Sequence, residues 1–252
     1  MPLRVRRVRR GDDAVTRPRL EVTREQVIAF RRTTGSLDRR LPAGAESLRA
    51  AAWAGLQDSM PRAALLSIHA RVDGTQPDSW ADPALAQVWG PRFSAYVVAE
   101  RDAAIFTLGR LPLEEAARRR AEKAATSLET FLAGRRMTYG AAGRAMGVNA
   151  NSLRYGTATG RIRIRWEGAR QPVVWTVPAP TISADDARVE LARRYLHVFG
   201  PGTVVGFGRW AGVRPSAARL AFETLAPSLI SVRTPIGEGS ILESDEAELR
   251  AA

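Results

Sequence analysis

The sequence predicts a mainly α protein with small β-hairpin wings, an α+β chain built of tandem winged-helix (helix-turn-helix) units. A repeat is the first observation behind this: TYGAAGRAMGVNANSLR at 138–154 returns 65 residues later as TVVGFGRWAGVRPSAAR at 203–219. The two copies pair Thr138 with Thr203, Gly143 with Gly208, Arg144 with Arg209, Gly147 with Gly212, Val148 with Val213 and Arg154 with Arg219. Each reads as a short helix opened by a Thr cap, a Gly-Val turn, and a second helix opened by a polar residue or Pro. The second observation is a pair of strand-like runs after each copy. RIRIRW (161–166) and QPVVWTV (171–177) flank a polar turn at 167–170, and LISVRT (229–234) and SILES (240–244) flank a Gly/Pro-rich turn through Gly239. Runs of β-branched and aromatic residues around a short turn make hairpins. Third, a supporting helix precedes each copy, at 113–132 and 185–199; in the latter Val189, Leu191, Ala192, Tyr195, Leu196 and Phe199 recur at near-helical spacing.

Taken in order, residues 1–19 form an Arg-rich stretch without the apolar run of a secretory signal and read as a disordered basic arm. Such an arm tracks a phosphate backbone or is simply an unstructured leader. From Leu20 the pattern turns helical. Thr23 caps REQVIAFRRTT, with Val27, Ile28 and Phe30 inward and Gly35 ending the helix. Segments 46–56 and 62–72 read as two further helices, the second with Ala63, Leu66 and Ala70 on one face, joined by the loop GLQDSMP. A short helix around 83–88 leads to Trp89-Gly90-Pro91-Arg92 and a strand, SAYVV, at 94–98. The expected organisation is the arm 1–19, a degenerate winged-helix unit 20–110, a second unit 111–182 and a third 183–252.

Composition narrows the function classes. A 65-residue repeat within 252 residues implies small cores rather than one large one. No apolar run approaches the length that spans a membrane. The absence of Cys excludes disulfides and thiolate metal sites, and two separated histidines, His69 and His197, argue against a histidine site. The expectation is a cytoplasmic, bacterial, monomeric protein without a cofactor. Lys+Arg total 38 against 26 Asp+Glu, a net charge of +12, which points to a polyanionic partner. All but Lys123 of those basic residues are Arg, partly a mark of GC-rich coding, but coding bias explains Arg over Lys better than it explains excess positive charge. Basic residues crowd 4–40 and 118–170, whereas Glu238, Glu243, Asp245, Glu246 and Glu248 keep the chain end off a nucleic acid.

Three segments carry a family resemblance: WAGLQDSMPRAALLSIHARV (53–72), VWGPRFSAYVV (88–98) and RRYLHVFGPGTVVGFGRWAGVRPSAARLAFETL (193–225). Together they resemble the tandem winged-helix family that includes the AlkZ-type DNA glycosylases, over most of the chain from Leu20 onward. The third segment is the most specific. The resemblance implies a concave, basic protein of three winged-helix units that cups double-stranded DNA. Its active members excise alkylated purines, some of them at interstrand crosslinks. In such members a Gln, an apolar residue and then Gln or Asp, placed after Gly-Leu, position and activate the water that attacks the sugar. Here Gly55-Leu56 is followed by Gln57 at the first position, Asp58 at the apolar one and Ser59 at the second catalytic one. A Ser hydroxyl hydrogen-bonds a water but does not take its proton at neutral pH, whereas a positioned carboxylate does, at roughly 10²–10⁴ in rate. Asp58 carries the right group at a position that points away from Gln57, unless the loop shifts by one residue. Gln57 alternatively caps the following helix or satisfies loop backbone. A second departure lies at Trp89 and Arg92, where Phe93 stands for the family's Gly and Tyr96 for its His. Many relatives continue into a β-rich C-terminal domain beyond the third unit, so a truncated or specialised member is expected.

For DNA contact, the second helix of the first repeat offers Asn149, Asn151, Ser152, Arg154 and Tyr155. The wing after it offers Arg161, Arg163 and Arg165, which alternation puts on one face, with Ile162 and Ile164 toward the core. That face is either a cationic edge or an ordinary solvated one. The last unit offers Arg214, Ser216 and Arg219, although Arg219 repeats Arg154 and a structural Arg in each unit explains that equally; Arg92 completes the set. Three functions are open: a DNA-binding relative with a degraded catalytic motif, an active glycosylase excising alkylated purines in DNA repair or genotoxin self-resistance, and a winged-helix module that binds protein.

Overall fold

The computed structural model describes residues 19–60, 62–167 and 171–252, so the basic arm lies outside the described residues apart from Arg19. Its first half runs β1 (Leu20–Glu21), α1 (Arg24–Thr34), α2 (Ala45–Ala51), β2 (Leu56–Gln57), α3 (Ala63–His69), β3 (Leu85–Trp89), β4 (Ala95–Ala99), α4 (Ala103–Leu108) and α5 (Glu115–Leu132). Thr23 caps α1 through a reciprocal capping box with Gln26, at 3.2 and 3.0 Å. Phe30 is buried there, but Ile28 is exposed, because α1 docks only one narrow face.

Three further expectations in this half need correction. The helix expected to Leu56 ends at Ala51, and Gly55, at φ +77, turns the chain into β2. The inward face of α3 is Ala64 and Ile68, with Leu66 75% exposed, because the carboxylate of Asp58 holds the Ala64 N–H against the core. Segment 83–88 is a strand rather than a short helix, since LAQVW hydrogen-bonds to neighbours on both edges and is almost wholly buried. A short apolar run of this kind does not distinguish helix from strand by periodicity.

The second half runs β5 (Met137–Thr138), α6 (Tyr139–Ala145), a 3-10 helix (Ala150–Thr159), β6 (Ile162–Trp166), β7 (Pro172–Thr176), α7 (Ala184–Phe199), α8 (Val204–Ala211), α9 (Pro215–Leu225), β8 (Leu229–Thr234), β9 (Gly237–Leu242) and α10 (Glu246–Ala251). Both copies of the repeat open on a Thr that accepts a helix N–H, Thr138 from Ala141 and Thr203 from Gly206. Both turn at a glycine in the left-handed region, Gly147 at φ +67 and Gly212 at φ +69. They part at the second helix, which is α in the later copy and 3-10 in the earlier. Hydroxyls tighten the earlier one by donating to carbonyls three residues back: Ser152 to Asn149, Thr157 to Arg154 and Thr159 to Gly156, at 2.6–2.7 Å. Gly156 also packs so closely on α5 that a Cβ there would lie 2.9 Å from the Ala125 nitrogen. Most of the first hairpin's turn, 168–170, lies outside the described residues, and the second hairpin's turn is confined to Pro235-Ile236, shorter than the expected turn through Gly239.

One six-stranded sheet, ordered β2-β4-β3-β6-β7-β5, crosses the boundary expected at 110/111, with Gln87 of β3 opposite Ile164 of β6. The β6–β7 hairpin is therefore flanked by strands on both sides and is not a free wing. The second sheet, β1-β8-β9, ties the start of the described chain to its end. Leu20, Val22 and Phe30 pack with Ile230, Val232, Ile241 and Leu249, so residues 20–34 belong with the last unit rather than the first. A short segment with few apolar residues gains more by joining an existing hairpin than by standing alone. At the centre, Leu191, Tyr195 and Leu196 of α7 meet Phe106 of α4, Phe207 of α8 and Phe222 of α9, together with Val88, Tyr96 and Val98 of the large sheet. That core clamps the α8–α9 turn against the loop between β3 and β4. Among the described residues, no helix is long and apolar enough to cross a membrane.

Candidate functional site

Strand alternation at the end of β2 decides which side chains of the Gln57-Asp58-Ser59 loop face out. Gln57 pairs in register with Tyr96, and the Asp58 N–H donates to the Ala95 carbonyl at 2.7 Å, so Gln57 and Ser59 are exposed while Asp58 turns inward. Gln57 Nε2 donates to Ser59 Oγ at 2.7 Å, and Arg92 Nη2 donates to Gln57 Oε1 at 3.4 Å. Asp58 is 0% exposed: one carboxylate oxygen accepts the Ala64 N–H at 2.9 Å and the other accepts Gln87 Nε2 at 2.6 Å. Gln87 in turn accepts the Trp166 N–H at 2.8 Å, so one polar chain links the loop, β3 and β6. Burial raises the Asp58 pKa, and the hydrogen bonds from Ala64 and Gln87 partly offset it. Asp58 thus holds the loop in place, on the inner side of the strand from any water beside Gln57. Asp58→Ala is expected to lower unfolding stability by about 1–3 kcal/mol for each buried donor left without a partner, measured by urea denaturation.

Arg92 and Phe93 both lie in the left-handed region, at φ 55 and φ 57, a strained pair of order 1–3 kcal/mol each. The strain is held from two sides. The Phe93 N–H donates to the Gly90 carbonyl at 3.0 Å, and Gly212 abuts the Arg92 backbone so closely that a Cβ there would lie 2.8 Å from the Arg92 Cα. Phe93 lies under the Arg110 guanidinium, 4.4 Å from the ring centroid, and meets Tyr155 edge-on at 5.5 Å. Residues from all three expected units therefore converge on this loop: Gln57 from the first, Tyr155 from the second and Gly212 from the third.

Tyr96 is buried, not a donor at the surface. Its ring packs on Gly55 and Gly90, and burial raises its pKa against the pull of the Arg92 and Arg110 charges. A Cβ on Gly55 would lie 2.6 Å from Phe106 and 3.0 Å from Tyr96, at a φ that disfavours any side chain. Gly55→Ala is expected to cost about 1–3 kcal/mol of stability and to displace Gln57, read as a lowered Tm.

The residues expected at DNA divide into two groups. Asn149, Asn151, Arg92, Arg214, Ser216 and Arg219 are exposed, with Asn149 capping the 3-10 helix and Arg214 in a surface pair with Glu114 at 3.3 Å. Ser152 is half-buried and bonded to Asn149. The wing arginines do not form a continuous cationic edge. Arg161 pairs with Glu122 and Glu129, both at 2.9 Å; Arg163 donates to the Gly160 carbonyl at 3.0 Å and is desolvated enough to lower its pKa; Arg165 lies 5.5 Å from the Trp80 ring. Arg154 is half-buried, 5.5 Å from each of the Trp89 and Tyr139 rings, whereas its repeat partner Arg219 is exposed, so the shared position does two different things. Sequence reasoning missed Gln87 and Arg110, each signalled only as a lone polar residue in an apolar run, LAQVW and FTLGRLP.

The geometry leaves an exposed Gln between a hydroxyl and a guanidinium, beside a repeated helix–turn–helix sequence on an α+β frame. A family model described as "DNA glycosylase AlkZ-like" matches residues 50–252, and the chain belongs to that AlkZ-like family. Among solved structures, the DNA glycosylase AlkZ of Streptomyces sahachiroi is similar, with a TM-score of 0.74 at 17% identity over 92% of this chain and 73% of that one. At that identity the likeness concerns the fold. No curated protein sequence matches the chain.

Proposed function

We propose that this protein binds double-stranded DNA as a tandem winged-helix relative of the AlkZ-type glycosylases and that its catalytic motif is degraded. The observation that carries the proposal is the inward turn of Asp58, which leaves Gln57 beside a hydroxyl and a guanidinium while the Asp58 carboxylate is committed to the inner side of the strand. Ser59 does not take the proton of a water beside Gln57, so base excision is expected at no more than the spontaneous rate. The net charge of +12 and the exposed Arg92, Arg214 and Arg219 support a DNA surface, with Asn149, Asn151 and Ser216 as neutral contacts. Three helices followed by a hairpin, from α7 to β9, support the winged-helix reading of the last unit. Inside such a site the helices hold backbone and selectivity comes from the cost of displacing a base.

One observation favours an active glycosylase instead: Gln57 is exposed and positioned by Arg92. A duplex carrying one N7-methylguanine separates the two. Tight binding with base release no faster than the spontaneous rate is the expected result. Release above that rate, lost in Gln57→Ala, establishes the active enzyme, and absence of duplex binding rejects both.

A further inference from the structure

The cleft beside the Arg92–Phe93 loop has a volume of about 320 Å³, and among its mostly apolar lining stand Phe93, Arg110, Arg120, Tyr155 and the Arg214–Glu114 pair. That volume lies at the lower end of small-molecule sites, roughly 300–1,000 Å³. Arg110 is the unusual member. Its guanidinium is 5% exposed and donates Nε to the Ala211 carbonyl at 2.9 Å and Nη1 to the Trp89 carbonyl at 3.3 Å. Among the described residues no carboxylate forms an ion pair with Arg110, and the Tyr96 phenol is the group whose charge bears on it. Neutral carbonyls satisfy donors without neutralising charge. Desolvation lowers its pKa to about 9, so it still carries its proton at neutral pH. A buried cation without a counter-charge draws an anion far more strongly than a solvated one. The other Arg in the cleft, Arg120, is exposed and lies 5.9 Å from the Tyr155 ring, which itself meets Phe93 edge-on.

We propose that this cleft is a nucleotide subsite, in which Arg110 and Arg120 take a phosphate and the exposed ring of Tyr155, braced edge-on by Phe93, takes a nucleobase. The proposal rests on the DNA-binding reading above and extends it. Because Phe93 adjoins Arg92, which touches Gln57, the subsite holds a nucleotide next to the one presented to Gln57. Aromatic faces accept any base and a guanidinium any phosphate, so the subsite binds without regard to base identity.

Calorimetric titration of the full chain with 2′-deoxyguanosine 5′-monophosphate, 2′-deoxyguanosine and inorganic phosphate tests it. The monophosphate is expected to bind about tenfold or more tighter than either part alone. Arg110→Gln, whose amide still donates to a carbonyl, brings the monophosphate down to the level of the nucleoside. Should that variant fail to fold, Arg120→Gln and Tyr155→Ala alter exposed side chains, and each is expected to weaken the monophosphate several-fold. Equal binding of monophosphate and phosphate reduces the cleft to an anion hole and overturns the proposal, as does no binding, or a monophosphate affinity unchanged in Tyr155→Ala. Salt-dependent duplex binding without monophosphate binding rejects the subsite alone. Monophosphate binding without duplex binding rejects the DNA reading alone.

Discussion

Ser59→Asp is expected to raise single-turnover release of N7-methylguanine from a duplex by roughly 10²–10⁴-fold over the parent protein, the rate contribution of a positioned base. The Ser59 side chain is exposed and already lies 2.7 Å from Gln57 Nε2. A carboxylate grown from that position stands on the same side of the strand as Gln57, whereas Asp58 has both oxygens committed to Ala64 and Gln87 on the other side. Arg92, which reaches Gln57 Oε1 at 3.4 Å, supplies a nearby positive charge that favours the ionised form. The gained rate should therefore climb with pH through the carboxylate range, about 4, and be flat near neutrality. Ser59→Asn is the matched control, equal in shape and without basicity, and should show no gain. Gln57→Ala in the Ser59→Asp background should abolish it. A Ser59→Asp protein that binds the duplex and releases no more base than its parent would mean that the motif sits elsewhere in this chain.

Legibility in the sequence tracked the range of the interactions. The Thr138 and Thr203 caps and the left-handed turns at Gly147 and Gly212 depend on residues within four of one another, and the repeat displayed them directly. The 3-10 form of 150–159 was only half visible: the hydroxyls of Ser152, Thr157 and Thr159 that tighten it are local, but the packing of Gly156 on α5 is a contact between segments some thirty residues apart. Alternation in RIRIRW correctly separated Ile162 and Ile164 from the arginines. It carried no information on what lies over the arginine side, where Glu122, Glu129, Glu100 and Trp80 turn out to stand. Family resemblance singled out Gln57 and Ser59 as candidates, and strand alternation accounts for the inward turn of Asp58. Its partner Gln87, 29 residues away, was not legible, because a lone Gln in a strand has no pattern that names its acceptor.

The division of the arginines into exposed and engaged sets predicts unequal effects on duplex affinity. For about 6–10 phosphate contacts, binding by the parent protein should weaken roughly 10³–10⁵-fold between 50 and 200 mM salt, with a log–log slope near −0.9 per phosphate. Arg92 and Arg214 flank Gly212 at the point where the α8–α9 turn meets the β3–β4 loop, and both are exposed. Arg92→Gln with Arg214→Gln should reduce the magnitude of the slope by about 2, one phosphate contact for each charge removed. Arg161→Gln removes the same charge from a side chain already held by Glu122 and Glu129. It should leave the slope unchanged and lower stability by roughly 0.2–1 kcal/mol per pair. Fluorescence anisotropy on a labelled duplex at four salt concentrations measures both slopes, and a urea melt measures the stability. A slope change in Arg161→Gln equal to that of one exposed Arg would mean that the pairs with Glu122 and Glu129 open on binding and that the sheet face is part of the DNA surface. An unchanged slope in the double variant would move the contact away from the Arg92–Gly212 junction.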